Sequence, residues 1–123
     1  MNEQPLILVV DDEPEILALA REILGAAGHV EVAANGKEAL AKLKTHAYDV
    51  VLTDMIMPEM SGTEVYQHLK KINPEVKVLL ASGYTADEKA LEILKDSHCG
   101  FIQKPFDIVH LSHKVREVID MKI

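Results

Sequence analysis

Five short apolar runs alternate along the chain with five stretches in which apolar residues recur every three or four positions, the strand and helix patterns respectively. The first run, Leu6 to Val10, is followed by Pro14 and then by Ile16, Ala20, Ile23, Leu24 and Ala27. That is an amphipathic helix opened by proline and expected to end near Gly28. Val30, Val32 and Ala34 alternate with Glu31 and Ala33, so the second strand reads as half exposed at a sheet edge; Asn35-Gly36 then turns into a helix carrying Ala39, Leu40 and Leu43. Val50-Val51-Leu52 is continuous instead, which suits a central strand. It stops at Thr53-Asp54, and a loop with Pro58 and Gly62 leads to a helix with Val65, Leu69 and Ile72. Val76 to Ala81 ends in Ser82-Gly83 before a helix with Ala90, Leu91 and Leu94. Gly100 to Gln103 is a short fifth strand ending at Lys104-Pro105, and Ile108, Leu111, Val115 and Val118 mark the last helix. Such alternation predicts the α/β class, with a parallel sheet covered by helices on both faces.

Composition narrows the function. A chain of 123 residues, 48% hydrophobic with both charge signs, is expected to be one soluble globular domain. A net charge of -7 and only three Tyr, two Phe and no Trp argue against direct nucleic-acid contact, which wants a basic stripe or stacking rings. The start, Met1-Asn-Glu-Gln-Pro, has no basic n-region, and no apolar run reaches the length of a signal peptide core or a membrane span. A cytoplasmic protein with no membrane insertion is the expectation. Cys99 is the only cysteine, so neither an intrachain disulfide nor a cysteine-based metal site can form, and it reads as a small buried hydrophobe. Of six histidines only His110 and His113 stand at a helical i, i+3 spacing; with no third ligand nearby they read as surface residues.

The chemistry collects where the strands stop. Asp11 and Asp12 follow the first strand, Asp54 the third, Ser82 the fourth and Lys104 the fifth. In a doubly wound sheet the carboxyl ends of all strands open on one edge, where ligands bind. Singly, each residue has an ordinary explanation: Asp12 as a helix cap, Asp54 as a turn former, Ser82 in a loop, Lys104 as a surface cation. Together they put three carboxylates, a hydroxyl and an ammonium in one crevice. Crowded carboxylates repel unless a cation neutralises them, and Mg²⁺, with its preference for oxygen, suits the set. A carboxylate beside Mg²⁺ can attack phosphorus to give an aspartyl phosphate. Asp54 fits the nucleophile, Lys104 and Ser82 can reach phosphoryl oxygens, and the amides around Ile56 and Gly83 supply further donors.

The pieces "VVDDE", "DMIMPEMSG", "SGY" and "FIQKPF", in that order and spacing, resemble a response-regulator receiver domain of two-component signalling, over essentially the whole chain. The resemblance implies a doubly wound (βα)5, flavodoxin-like three-layer sandwich with strand order 2-1-3-4-5. It also implies a single receiver domain over residues 1–123 with no effector domain. Residue by residue, Asp54 would be the phosphoacceptor, and Asp12 and Asp54 direct Mg²⁺ ligands together with the Ile56 carbonyl. Asp11 would act through a water, and Ser82 and Lys104 would bind the phosphoryl group. Ser82 and Phe101 fall at the family's switch positions, and Lys104-Pro105 at a peptide that is cis in the family. Implied partners are a sensor histidine kinase or phosphotransfer domain upstream, a downstream protein target, and a second copy in a phosphorylation-dependent homodimer. The output face would be the fourth helix, fifth strand and fifth helix. Such a protein is a weak enzyme on itself, assisting its own phosphotransfer and dephosphorylation. Ile56 cannot orient a hydrolytic water and Tyr84 could cover the acyl phosphate, so a persistent phosphoryl group is expected. The wording "ASGYT" and "GFIQKPF" leans toward receivers attached to sensor kinases, which leaves a stand-alone regulator or a receiver excised from a hybrid sensor kinase.

Other phosphate chemistries fit less well. A haloacid-dehalogenase-type phosphatase wants a second acid two residues past its nucleophile, where this chain has Ile56. A flavodoxin-type FMN site wants a Ser/Thr/Gly-rich loop where Asp11 to Pro14 stand, and Gly36-Lys37 lacks the upstream glycine and following hydroxyl of a P-loop.

Overall fold

The computed structural model describes residues 5–26, 28–55, 62–74, 76–83, 88–93, 95, 99–104 and 107–119. The apolar runs become β1 (Leu6–Val10), β2 (His29–Ala33), β3 (Val50–Asp54), β4 (Lys77–Ser82) and β5 (Cys99–Gln103). Between and after them come α1 (Pro14–Leu24), α2 (Gly36–Thr45), α3 (Gly62–Ile72), α4 (Glu88–Ile93) and α5 (Ile108–Ile119). All four strand pairings are parallel and the order is β2-β1-β3-β4-β5, the doubly wound arrangement expected. From β1 the chain moves to one edge for β2, then returns to the other side of β1 for β3. The strand order therefore reverses between β1 and β3, and the carboxyl ends of those two strands form the crevice.

Side-chain alternation splits the core into two. Leu8, Val10, Val51, Val78 and Leu80 point to the face covered by Ala39 and Leu43 of α2 and by Val65 and Leu69 of α3. Ile7, Val9, Val50, Leu52, Leu79 and Ala81 point to the other, against Ala20 and Leu24 of α1 and Leu111, Val115 and Val118 of α5. Burying one such Leu, Ile or Val is worth about 1.5–3 kcal/mol, so the central strands hold the sandwich together. Every residue of β3 is buried, whereas β2 is half exposed at its edge, as the two sequence patterns indicate. Cys99 is buried, and His110 and His113 are exposed on α5.

Four details depart from the periodicity. α1 stops at Leu24, with Gly25 as its C-cap in ordinary right-handed geometry, its N–H on the Arg21 carbonyl at 3.0 Å. Gly28 is not the cap. It is buried, and a Cβ there would lie 2.4 Å from the Pro5 carbonyl oxygen, so it is the close approach of two backbones that needs glycine. In β2 Val30 and Val32 pack on one core and Ala33 is buried in the other, while Ala34 is exposed beyond the strand. Ile72 and Leu91, both on expected apolar stripes, are 43% and 55% exposed. Ile72 is the last residue of α3, and in α4 it is Ile93 that packs on the core. Leu91 lies two residues from Ile93, roughly 200° around the helix axis, and so faces away. Leu94 and Ala27 fall outside the described residues.

Candidate functional site at the carboxyl edge of the sheet

Backbone hydrogen bonds carry three strand ends into the crevice. The Asp11 N–H donates to the Ala33 carbonyl (3.1 Å), Met55 N–H to Ala81 (2.9 Å) and Lys104 N–H to Ser82 (2.7 Å). The last bond fixes where the Lys104 side chain starts, and its ammonium then crosses to the first and third strands. Lys104 Nζ lies 2.7 Å from Asp11 Oδ2, 3.3 Å from Asp54 Oδ2 and 3.7 Å from Glu13 Oε1. The other Asp11 oxygen, Oδ1, accepts the Glu13 N–H at 2.9 Å.

Among the described residues the buried polar side chains are Asp11, Thr53, Asp54 and Ser82, and all four sit at this edge. Asp12 stands exposed at the rim. Asp11, Asp12, Glu13 and Asp54 each offer a carboxylate oxygen, all within 4.8 Å of one another. Burial pulls the Lys104 ammonium toward the neutral form, but the hydrogen bond and charge of Asp11 and the charge of Asp54 outweigh it and hold its pKa above the ordinary lysine value. Lys104 is therefore a permanent cation at physiological pH. It neutralises one of four negative charges, and the remaining oxygen-only donor set suits a hard divalent cation.

A family model described as the response regulator receiver domain matches residues 7–116. The chain belongs to that family. It is 35% identical over 119 residues to the transcriptional regulatory protein ZraR of Klebsiella oxytoca, covering 96% of this chain and 27% of ZraR. It is 33% identical over 117 residues to the sensor kinase CckA of Brucella abortus (strain 2308), covering 93% of this chain and 12% of CckA. It thus spans about a quarter or less of either relative. The structure of a CheY-like response regulator receiver domain protein from Methanospirillum hungatei JF-1 superposes with a TM-score of 0.88 at 32% identity, over 96% of this chain and 95% of that one. A transcriptional regulator and a sensor kinase match with similar overall identity, so overall identity does not separate the two contexts.

The receiver fold brings Asp11, Asp54, Ser82 and Lys104 to one edge with Asp12 at its mouth. Gly83 is exposed directly after β4, and a Cβ there would meet nothing within 4 Å. Phe101 is partly buried on β5 and packs, like Ile93 of α4, on the core shared with α2 and α3. Ile56, Tyr84 and Pro105 lie outside the described residues. Glu13, one of the crowded acids after β1 to which the sequence assigns no role, joins the site. It, not Asp12, takes the N-cap position of α1, and it makes no side-chain cap hydrogen bond there; its carboxylate is turned to Lys104 instead. The signal was its place directly after Asp11-Asp12 and before Pro14. Among the described residues no helix is long and apolar enough to cross a membrane.

Proposed function

We propose that this receiver is a phosphorylation-driven switch in which Asp54 accepts a phosphoryl group from the phosphohistidine of a sensor histidine kinase or phosphotransfer domain. The observation that carries the reading is the Lys104 ammonium, seated between the carboxylates of Asp11 and Asp54. Mg²⁺ would be held by Asp12, Asp54 and the Ile56 carbonyl, with Asp11 acting through a water, and would neutralise charge on the phosphoryl oxygens. An Asp54 carboxylate oxygen forms the new P–O bond as the P–N bond to the donor histidine breaks. Lys104 exchanges a carboxylate partner for a phosphoryl oxygen, the Ser82 hydroxyl donates to another, and the Gly83 amide adds a further donor. The same groups assist later hydrolysis, with Ile56 and Tyr84 restricting the attacking water.

Ser82 and Phe101 connect phosphorylation to the outer surface. Leu91 of α4 and Val109 of α5 are large apolar side chains left exposed on the two helices that flank β5, which supports the α4-β5-α5 face as the surface that meets a target protein or a second copy. Moving such a switch from 1:99 to 99:1 takes about 5.5 kcal/mol of differential interaction, within reach of several charge-assisted bonds.

Acetyl phosphate with Mg²⁺, followed by intact mass, tests the assignment. Wild type should gain one phosphoryl group, and Asp54→Asn, similar in volume but unable to attack phosphorus, should gain none while staying folded. Stoichiometric labelling of folded Asp54→Asn would overturn it.

A further inference from the structure

Glu13 has no role in that mechanism, yet its carboxylate is the third anion around Lys104. The three anions are not equivalent. The side chains of Asp11 and Asp54 are 3% and 9% exposed, whereas that of Glu13 is 61% exposed and can change rotamer at little cost. Its main chain cannot drift away, because its N–H is bonded to Asp11 Oδ1. Lys104 is pinned as well: its N–H is bonded to the Ser82 carbonyl, and its side chain is 14% exposed, so the ammonium has little water to retreat into.

If a divalent cation takes Asp12 and Asp54, and Asp11 through a water, Lys104 loses both of its short contacts to a stronger competitor. We propose that Glu13 is the carboxylate to which the Lys104 ammonium then shifts, so that lysine and metal ion occupy the pocket together instead of excluding one another. Glu13 is a positioning residue acting through Lys104. It acts on the ion through Lys104, the partner its carboxylate already faces at 3.7 Å, and not as a ligand of its own. The inference rests on the Mg²⁺ reading of the site and adds to it the means by which the resident cation makes room.

The test is an Mg²⁺ titration by calorimetry of wild type, Glu13→Gln, Lys104→Met and the double variant, with thermal melts confirming folding. Glu13→Gln strands Lys104 on Asp11 and Asp54, so Mg²⁺ should bind about two- to fivefold more weakly, the size expected for one partly exposed ion pair. With Lys104 replaced by Met, the same change at Glu13 should make no difference. If wild type binds no Mg²⁺, the metal reading of the site itself fails. If wild type binds but Glu13→Gln binds equally well, or if the loss persists in the Lys104→Met background, the role of Glu13 is wrong while the metal site stands. Should Lys104→Met not fold, the Lys104 side-chain ammonium resonance decides. On Mg²⁺ addition it should move differently in wild type and Glu13→Gln, and identical movement overturns the proposal.

Discussion

The two ends of the sheet use polar groups in opposite ways. At the amino end they complete the backbone. Asp49 gives its N–H to the Leu6 carbonyl (2.9 Å), takes the Leu6 N–H on Oδ2 (2.8 Å) and the Lys77 N–H on its carbonyl (3.2 Å), closing the starts of three strands. The Lys70 ammonium caps the carbonyls of Pro74 and Val76, and that of Lys77 the carbonyl of Ile119. At the carboxyl end the side chains face one another instead, four carboxylates in one cluster with three of them around the Lys104 ammonium, and the buried pair, Asp11 and Asp54, comes from the β1 and β3 ends. The first end answers the requirement that backbone groups be paired. The second keeps like charges close, a cost that fits the cation and phosphoryl binding proposed above. Stability should therefore reside in the amino end and chemistry in the carboxyl end, and substitutions can separate the two.

The largest expected effect is at Gly28. A methyl group there would collide with the Pro5 carbonyl oxygen and disturb the 2.9 Å bond that this oxygen accepts from the His29 N–H. Overpacking with the loss of a hydrogen bond puts Gly28→Ala about 2–4 kcal/mol below wild type in urea unfolding. The folded fraction should still label at Asp54 with acetyl phosphate. Its mirror image is Asp54→Asn, which relieves part of the carboxylate crowding and should unfold within about 1 kcal/mol of wild type, on either side. A destabilisation of Asp54→Asn as large as that of Gly28→Ala would erase the distinction between the ends. Next in size is Asp49→Ala, which removes the acceptor of the Leu6 N–H and should cost about 1 kcal/mol with Mg²⁺ binding untouched. A changed Mg²⁺ affinity would show that the ends are coupled.

How much of this was legible beforehand follows the same division. Strand cores and their depth could be read directly, because a continuous run such as Val50 to Leu52 or an alternating one such as Val30 to Val32 reports burial locally. The gathering of Asp11, Asp54, Ser82 and Lys104 could be read too, since a parallel sheet puts all strand ends on one edge whatever the details. What escaped depends on where distant segments meet. Gly28 looks like a helix terminator until Pro5 is seen against it, and Leu91 looks like a core residue until Ile93 fixes the rotation of a six-residue helix. Glu13 looks like a spare acid, and nothing local says that Lys104, 91 positions later in the chain, leans on it. The Tyr48–Glu31 bond is of the same kind.

That bond gives the smallest expected effect. The Tyr48 hydroxyl donates to Glu31 Oε1 at 2.5 Å, joining the segment before β3 to the edge strand β2. The hydrogen bond lowers the Glu31 pKa below its ordinary 4.5; burial works against it, and the charges of His46, Lys42 and His29 add to it. Burial first, and then Glu31, raises the Tyr48 pKa. A carboxylate held below its ordinary pKa contributes stability that is present above the unfolded value and lost as pH falls through the folded one. The raised phenol contributes below its own unfolded value and loses its contribution only in strong alkali. Tyr48→Phe should therefore be less stable than wild type by about 0.5 kcal/mol near neutral pH, the low end for a single hydrogen bond because the pair lies at a partly solvated edge. That gap should hold from pH 6 to pH 8 and narrow below the ordinary carboxylate value of 4.5 as Glu31 protonates in both proteins. Urea unfolding at pH 7 and at about pH 3 measures both ends of the window. A gap that widens on acidification would mean that the hydroxyl acts on stability by some route other than Glu31, and a drop in phosphodonor labelling would tie this edge to the site.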